Sequence, residues 1–211
     1  MANPAIINSY SSLKNALEDH MNRTDVADEG VAAMAIDLAE AKLNRVVQHP
    51  RRIARNDSFT IDSQYETVPS DFWSLNRISI SGTVNQPLII VSPQEMDEQR
   101  EILSATGKPT FVSVVGTSFE FCAAPDQAYT GLLVYTQSLP PLASNATNWL
   151  LDIAPDVYLY AAISESYAWA QDDARSVQYL QKTQQALQEL RVSGTREAYG
   201  TTPRSMPRSF G

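Results

Sequence analysis

The sequence predicts an α+β protein: a helical bundle built from N- and C-terminal helices, an inserted small β-sandwich or barrel, and an extended C-terminal arm. Three observations carry this reading. Apolar residues recur at spacings of three and four near both ends of the chain. Between them lie short alternating or wholly apolar runs separated by turn residues. The final stretch, from Ser193 onward, is basic and contains Gly, Pro and Ser. The expected organisation is a helical domain over 1–50 and 142–192, a β-rich insertion over 51–141 and a docking arm over 193–211.

The N-terminal zone opens with Tyr10, Leu13 and Leu17, which predict a short amphipathic helix over Ser9–Met21. Thr24 and Asp25 are N-cap candidates for a longer helix over Asp28–Gln48. Val31, Met34, Ala35, Leu38, Ala41 and Val46 form its broad apolar face. Acids Asp28, Glu29, Asp37 and Glu40 come early and Lys42, Arg45 and His49 late, an order that complements the helix dipole. Pro50 stops it.

The middle zone reads as five or six strands. Ser58–Ser63 alternates, with Phe59 and Ile61 on one face, and Leu75–Ile80 alternates less cleanly before Ser81-Gly82. Leu88–Val91 is fully apolar, as a buried strand would be. Ser92-Pro93-Gln94-Glu95 has the form of a capping box with proline in the first turn, so a helix is expected over Pro93–Leu103. Thr110–Val115 and Phe119–Cys122, joined through Gly116-Thr-Ser, predict a hairpin. Thr130–Thr136 is the last strand, closed by Pro140-Pro141.

The third zone returns to helix. Asn148–Ile153 predicts one short turn, and Ala154-Pro-Asp starts a helix to Trp169 along which Val157, Tyr160, Ala161, Ser164 and Ala168 follow one side. Asp172 and Asp173 begin a final helix to Arg191 bearing Val177, Leu180, Ala186, Leu187 and Leu190, with Ser193-Gly194 as its stop. Asp152 and Asp156, around Pro155, are expected to cap the helix that follows.

Composition narrows the functional classes. The chain has 211 residues, enough for one sizeable core or one core with an insertion, and 43% hydrophobic with 19% charged residues argues for a globular protein. A net charge of −8 argues against generic adhesion to nucleic acid. The charge is uneven: Arg196, Arg204 and Arg208 face only Glu197 after residue 192, a basic arm on an acidic body. Cys122 is the single cysteine, which rules out an intramolecular disulfide, and its strand neighbours predict a packed side chain. No apolar run reaches membrane-spanning length, and no secretory leader is apparent.

Catalytic patterns are missing. The phosphate-cradling glycine motifs and the G-x-S-x-G nucleophile turn do not occur. His20 and His49 lie near predicted helix ends, where a solvated or dipole-stabilised imidazole is expected. Asp172 and Asp173 point in different directions on a helix and suit capping better than paired acid chemistry. Asp97, Glu98 and Glu101 read as a solvated face. The aromatics are denser: Tyr158, Tyr160, Tyr167, Trp169 and Tyr179 crowd the C-terminal helices, with Phe72, Trp73 and Trp149 at zone borders. Core packing is one reading. Subunit contact through Tyr158, Tyr160, Tyr167 and Trp169 is the other.

Several fragments, taken in order, resemble the head-to-tail adaptor (connector, head-completion) proteins of tailed bacteriophages. The N-terminal ones are Tyr10-Ser-Ser-Leu-Lys, Asn22-Arg-Thr-Asp25 and Leu38–Arg45. Tyr65–Phe72 and Pro87-Leu with Ser92–Glu95 are similar to the middle of the family. The sharpest is Gly107-Lys-Pro-Thr, Phe119-Glu-Phe, Pro125-Asp, Tyr129-Thr, Asn148-Trp-Leu-Leu, Pro155-Asp and Tyr158-Leu-Tyr160. Gly30-Val31-Ala32-Ala33 departs from the pattern. The resemblance implies a structural virion protein that is not an enzyme and has no cofactor or metal. Its implied partners are a portal protein, a tail or nozzle protein and its own copies in a ring, twelve being expected. Genomic DNA would pass through its channel without specific binding, and no membrane is involved. Its place would be the head-tail interface of the virion, after synthesis in the host cytoplasm. The arm would reach the portal, making Arg196, Tyr199, Arg204, Met206, Arg208 and Phe210 the portal-binding candidates. Two other classes compete: a virion hydrolase using Glu95, Glu98 or Glu101, and a β-sandwich ligand- or carbohydrate-binding module or another tail-associated protein.

Overall fold

A computed structural model describes residues 7–21, 30–103 and 106–200. The chain forms two compact units, one from residues 1–51 and 139–211 and the other from Arg52–Ser138. In the helical unit the elements are α1 (Tyr10–Met21), α2 (Val31–Val46), α4 (Trp149–Ile153), α5 (Pro155–Trp169) and α6 (Asp173–Tyr199). The other unit carries β1 (Ile53–Ile61), β2 (Tyr65–Thr67), β3 (Phe72–Ile80), β4 (Gln86–Pro87), β5 (Ile89–Ile90), α3 (Pro93–Ile102), β6 (Phe111–Val115), β7 (Ser118–Cys122) and β8 (Tyr129–Gln137). A 3-10 turn, Pro50–Arg52, lies where the chain passes from one to the other.

The β unit consists of two four-stranded sheets, ordered β1-β8-β3-β4 and β2-β7-β6-β5. Neither closes into a barrel. All neighbours are antiparallel except β5 and β6, which are parallel because α3 crosses between them. Inward residues of both sheets share one core: Ile61, Ile78, Ile80 and Leu133 from the first, Val112, Phe119 and Phe121 from the second. Phe119 is its centre, edge-on to Phe59 at 5.6 Å and to Phe72 at 5.2 Å, a geometry that sets positive ring edges against negative faces. Cys122 is buried, as expected, but next to Phe121 on β7 and therefore on the strand's other face. The Ser92–Glu95 capping box is formed. Ser92 Oγ accepts from Glu95 N–H at 3.3 Å, and a Glu95 carboxylate oxygen accepts from Ser92 N–H at 2.8 Å. β1 starts at Ile53, earlier than its alternation allowed, because a bulge between Asn56 and Phe59 breaks the period of two.

In the helical unit α5 is buried on several sides, with Val157, Tyr158, Ala161, Ala162, Ile163, Ser164, Ser166 and Tyr167 all inside. Helices α1, α2 and α6 pack against it. The inner face of α2 is Val31, Ala32, Ala35, Ile36, Ala39 and Leu43. The expected face is therefore rotated: Met34, Leu38 and Val46 point outward, as do Val177 and Leu180 of α6. Small alanines pack inward because they let α2 approach α5 closely. The described part of α2 begins at Val31, after Gly30 in the left-handed region at φ 69°. The proposed caps Thr24 and Asp25 lie outside the described residues. Asn148 and Asp172 cap α4 and α6, accepting from the N–H groups of Leu151 and Arg175. Asp152 and Asp156 do not cap α5, whose N-cap is Ala154; Asp152 instead accepts from the Thr147 hydroxyl at 2.6 Å.

The C-terminal helix departs most from expectation. Gly194 does not stop α6, which continues to Tyr199 and ends at Gly200. Gly194 is present because His49 packs against it: a Cβ there would lie 2.7 Å from His49 Cδ2 and 3.0 Å from Pro50 Cδ. A glycine needed for close approach and one needed for a stop look alike in sequence. We predict that Gly194→Ala lowers the melting temperature although alanine is the better helix former by about 1 kcal/mol, because overpacking costs about 1–3 kcal/mol. A variant as stable as the parent would show that His49 can move aside.

Candidate functional site

The predicted contact residues lie on the helical unit. Tyr158 is one of the four aromatics proposed for subunit contact, and the structure corrects that assignment: its ring is fully buried in the helical core. Its hydroxyl donates to a Glu40 carboxylate oxygen at 3.3 Å and accepts from Asn148 Nδ2 at 2.7 Å. The same Glu40 oxygen accepts from Leu142 N–H at 2.9 Å, and Asn148 Nδ2 also donates to Pro140 C=O at 2.9 Å. This buried network holds the segment that re-enters the helical unit after β8 against α2 and α5. Burial pushes the Glu40 carboxyl up, against the lowering effect of the Leu142 and Tyr158 hydrogen bonds. Burial also drives the Tyr158 phenol well above its ordinary value.

The other aromatics form a cluster on α5 and α6. Tyr167 stacks on Tyr179 at 5.8 Å, and Tyr160 lies 6.1 Å from Tyr179. Lys182 Nζ stands 4.4 Å above the Tyr179 ring, and the Arg175 guanidinium 5.4 Å from that of Tyr167. His20 Nε2 is 2.7 Å from the Tyr179 hydroxyl, which ties α1 to this face. Tyr167 is only 9% exposed, Tyr160 is half-buried, and Trp169 keeps 38% of its surface. Of the four aromatics proposed for subunit contact, Tyr160 and Trp169 thus retain appreciable surface.

The C-terminal approach is a second surface. Arg196 and Tyr199, two of the six proposed portal contacts, are exposed on the last turns of α6 rather than in an arm. Arg204, Met206, Arg208 and Phe210 lie outside the described residues. Glu197 anchors the end of α6, accepting from Arg51 Nε at 3.0 Å and lying 3.7 Å from His49 Nε2. Of the two environments expected for His49, solvated or dipole-stabilised, the structure excludes the first. The residue is buried, stacked on Trp149 at 5.3 Å, and accepts from Arg51 N–H at 3.3 Å through Nδ1. Burial lowers its pKa, with Glu197 opposing. Thr183, Ala186, Leu190 and Gly194 form the buried row of α6, and the helical spacing that puts Gly194 on that row is the sequence signal that could have revealed this close approach.

Chemistry of other kinds finds little support. Among the described residues no group of three or more His, Cys, Asp or Glu side chains is placed to hold a metal ion. Glu95 is committed to its capping box, while Glu98 and Glu101 are exposed on α3. No described helix is long and apolar enough to cross a membrane.

The family model described as SU10 adaptor protein matches residues 8–207, nearly the whole chain. The chain belongs to that adaptor family, and it is a head-to-tail adaptor: a structural component of the virion at the head-tail interface, with a structural rather than enzymatic role. Membership brings interaction with portal and tail proteins and assembly into a ring. A search of the curated proteins found no match.

Glu40 gives a pH-dependent test of the buried network. A carboxyl raised by burial contributes stability that is complete below its unfolded pKa and is lost as pH rises through the folded one. We expect Glu40→Gln, which keeps the acceptor for Leu142 and Tyr158, to flatten the fall in stability above the ordinary carboxylate range. Glu40→Ala should cost about 1–3 kcal/mol by orphaning the Leu142 N–H. Thermal melts of the three proteins from pH 4 to 8 check this, and parallel profiles for parent and Gln variant would refute it.

Proposed function

We propose that the chain assembles as a ring of twelve copies beneath the portal, prolongs the DNA channel and offers the platform for the tail or nozzle. The observation that carries this reading is the family match over residues 8–207. In this reading α6 carries the C-terminal segment to the portal. Arg196 and Tyr199 stand exposed at its end, and Arg204, Met206, Arg208 and Phe210 follow in sequence. Tyr160 and Trp169 are the aromatics with surface left for a neighbouring subunit. Genomic DNA passes without specific binding, consistent with a net charge of −8, since an acidic wall repels phosphate where clustered cations would grip it. Synthesis takes place in the host cytoplasm.

The decisive experiment is electron microscopy of the protein mixed with its cognate portal. A twelve-fold tier beneath the portal is expected. Folded protein and folded portal that fail to associate would overturn the reading. We further expect a chain ending at Gly200 to remain folded, with a cooperative melt, yet fail to attach. Cutting at Ser193 is a poor test, because it removes Gly194 and Glu197 from around His49.

A further inference from the structure

Between α2 and α6, floored by α5, the helical unit carries an apolar groove. One part, about 350 Å3, is lined by Leu43, Val46, Ala161, Leu180 and Leu187. A second part, about 410 Å3, shares Val46 and Leu187 and runs along α6 past Gln188 to Arg191. Its rims hold surface that a helical unit of this size would normally cover: Val46 is 54% exposed and Leu180 42%. These are among the residues whose spacing predicted burial. The groove runs toward the end of α6, where the C-cap Gly200 takes a positive φ of 71° that glycine adopts without strain as the chain leaves the helix.

We propose that residues 201–211 of the same chain fold back along α6 and seat Met206 and Phe210 in this groove. The spacing of those two side chains supports it. Pro203 and Pro207 favour an extended polyproline conformation, which advances about 3.1 Å per residue. Met206 then lies about 19 Å from Gly200, and Phe210 about 31 Å. Along α6, at about 1.5 Å per residue, Leu187 lies about 20 Å back from Gly200 and Leu180 about 30 Å. Both apolar side chains of the segment therefore arrive level with a leucine of the groove. They are also the only large apolar residues after Gly200.

Charge does not drive the docking. Lys42, Arg45 and Arg191 stand on the groove against Glu165, which is paired with Lys42, and the segment brings Arg204 and Arg208. Like charges meet, so apolar burial supplies the attraction, and added salt should tighten the contact by screening the repulsion. A weakly held segment is easily given up. If the portal takes the same two side chains, a consequence resting on the proposed function, groove and portal compete for them and the arm is released only on docking.

The test uses the full chain without the portal, so its outcome is independent of the portal reading. Val46→Cys, in a Cys122→Ser background, places a thiol on the groove at an exposed position. Leu180→Cys is a second probe should the first disturb packing. Alkylation by neutral iodoacetamide is timed in the full chain, in a chain ending at Gly200, and in the Met206→Ala, Phe210→Ala double variant. We expect labelling several-fold slower in the full chain, slower still in added salt, unchanged by protein concentration, and restored to the faster rate by truncation or double substitution. Equal rates in full and shortened chains would overturn the proposal. Protection that grows with protein concentration would overturn it too, assigning the groove to another copy.

Discussion

The helical unit depends on the burial of α5. A helix with apolar or small residues on several faces cannot be stable beside a single partner, since water would still reach its other sides. Ala161, Ala162 and Ile163 occupy three successive positions, and each is covered. Coverage comes from α1 and α2 before the β unit in sequence and from α6 after it. The two ends of the chain must therefore meet around α5, and Arg52–Ser138 becomes an insertion by necessity. Folding of the helical unit consequently waits on contacts of long sequence separation, which carry an entropic cost that local helices avoid.

Polar groups at that junction are specific where the apolar ones are general. Glu40, Tyr158 and Asn148 fix the return of the chain through hydrogen bonds to Leu142 and Pro140. A buried carboxylate is costly when unpartnered, so the network favours the one arrangement that satisfies it. The C-terminal part of α6 shows a comparable economy. Without a side chain, Gly194 admits His49, and His49 fills the space between Trp149 and the helix. In both places residues of ordinary appearance hold the helices in register.

For an adaptor, function resides in surfaces, and surfaces are where sequence reasoning is weakest. The aromatic cluster illustrates this. Five aromatic residues on two helices are visible as a density, but which of them face inward depends on rotation about each axis. Tyr158 went to the core, Tyr167 is nearly covered by Tyr179, and Trp169 kept open surface. Met34, Leu38, Val46, Val177 and Leu180 show the converse. Apolar spacing marked them for burial, yet the unit packs through its alanines and leaves them outside. An apolar residue left exposed on a rigid helix is available to a partner, whether a neighbouring subunit or another part of the chain.

The sequence by itself determined the order of helical, β and helical zones, the Ser92–Glu95 cap, the capping role of Asp172, and the buried Cys122. Each rests on interactions between residues close in the chain or on a simple period of side-chain direction. Membership of the adaptor family was also legible there, because ordered fragments along nearly the whole chain carry it. Tertiary structure alone decided the rest. The role of Gly194 inside α6 is set by His49, remote in sequence, which fills the place where the glycine has no side chain. The face of α2 that turned inward depends on how closely alanines let it approach α5. The β1 bulge and the separation into two open sheets arise from pairing between strands far apart in the chain. Such contacts leave no local period, because the partner that gives each residue its role lies tens of residues away.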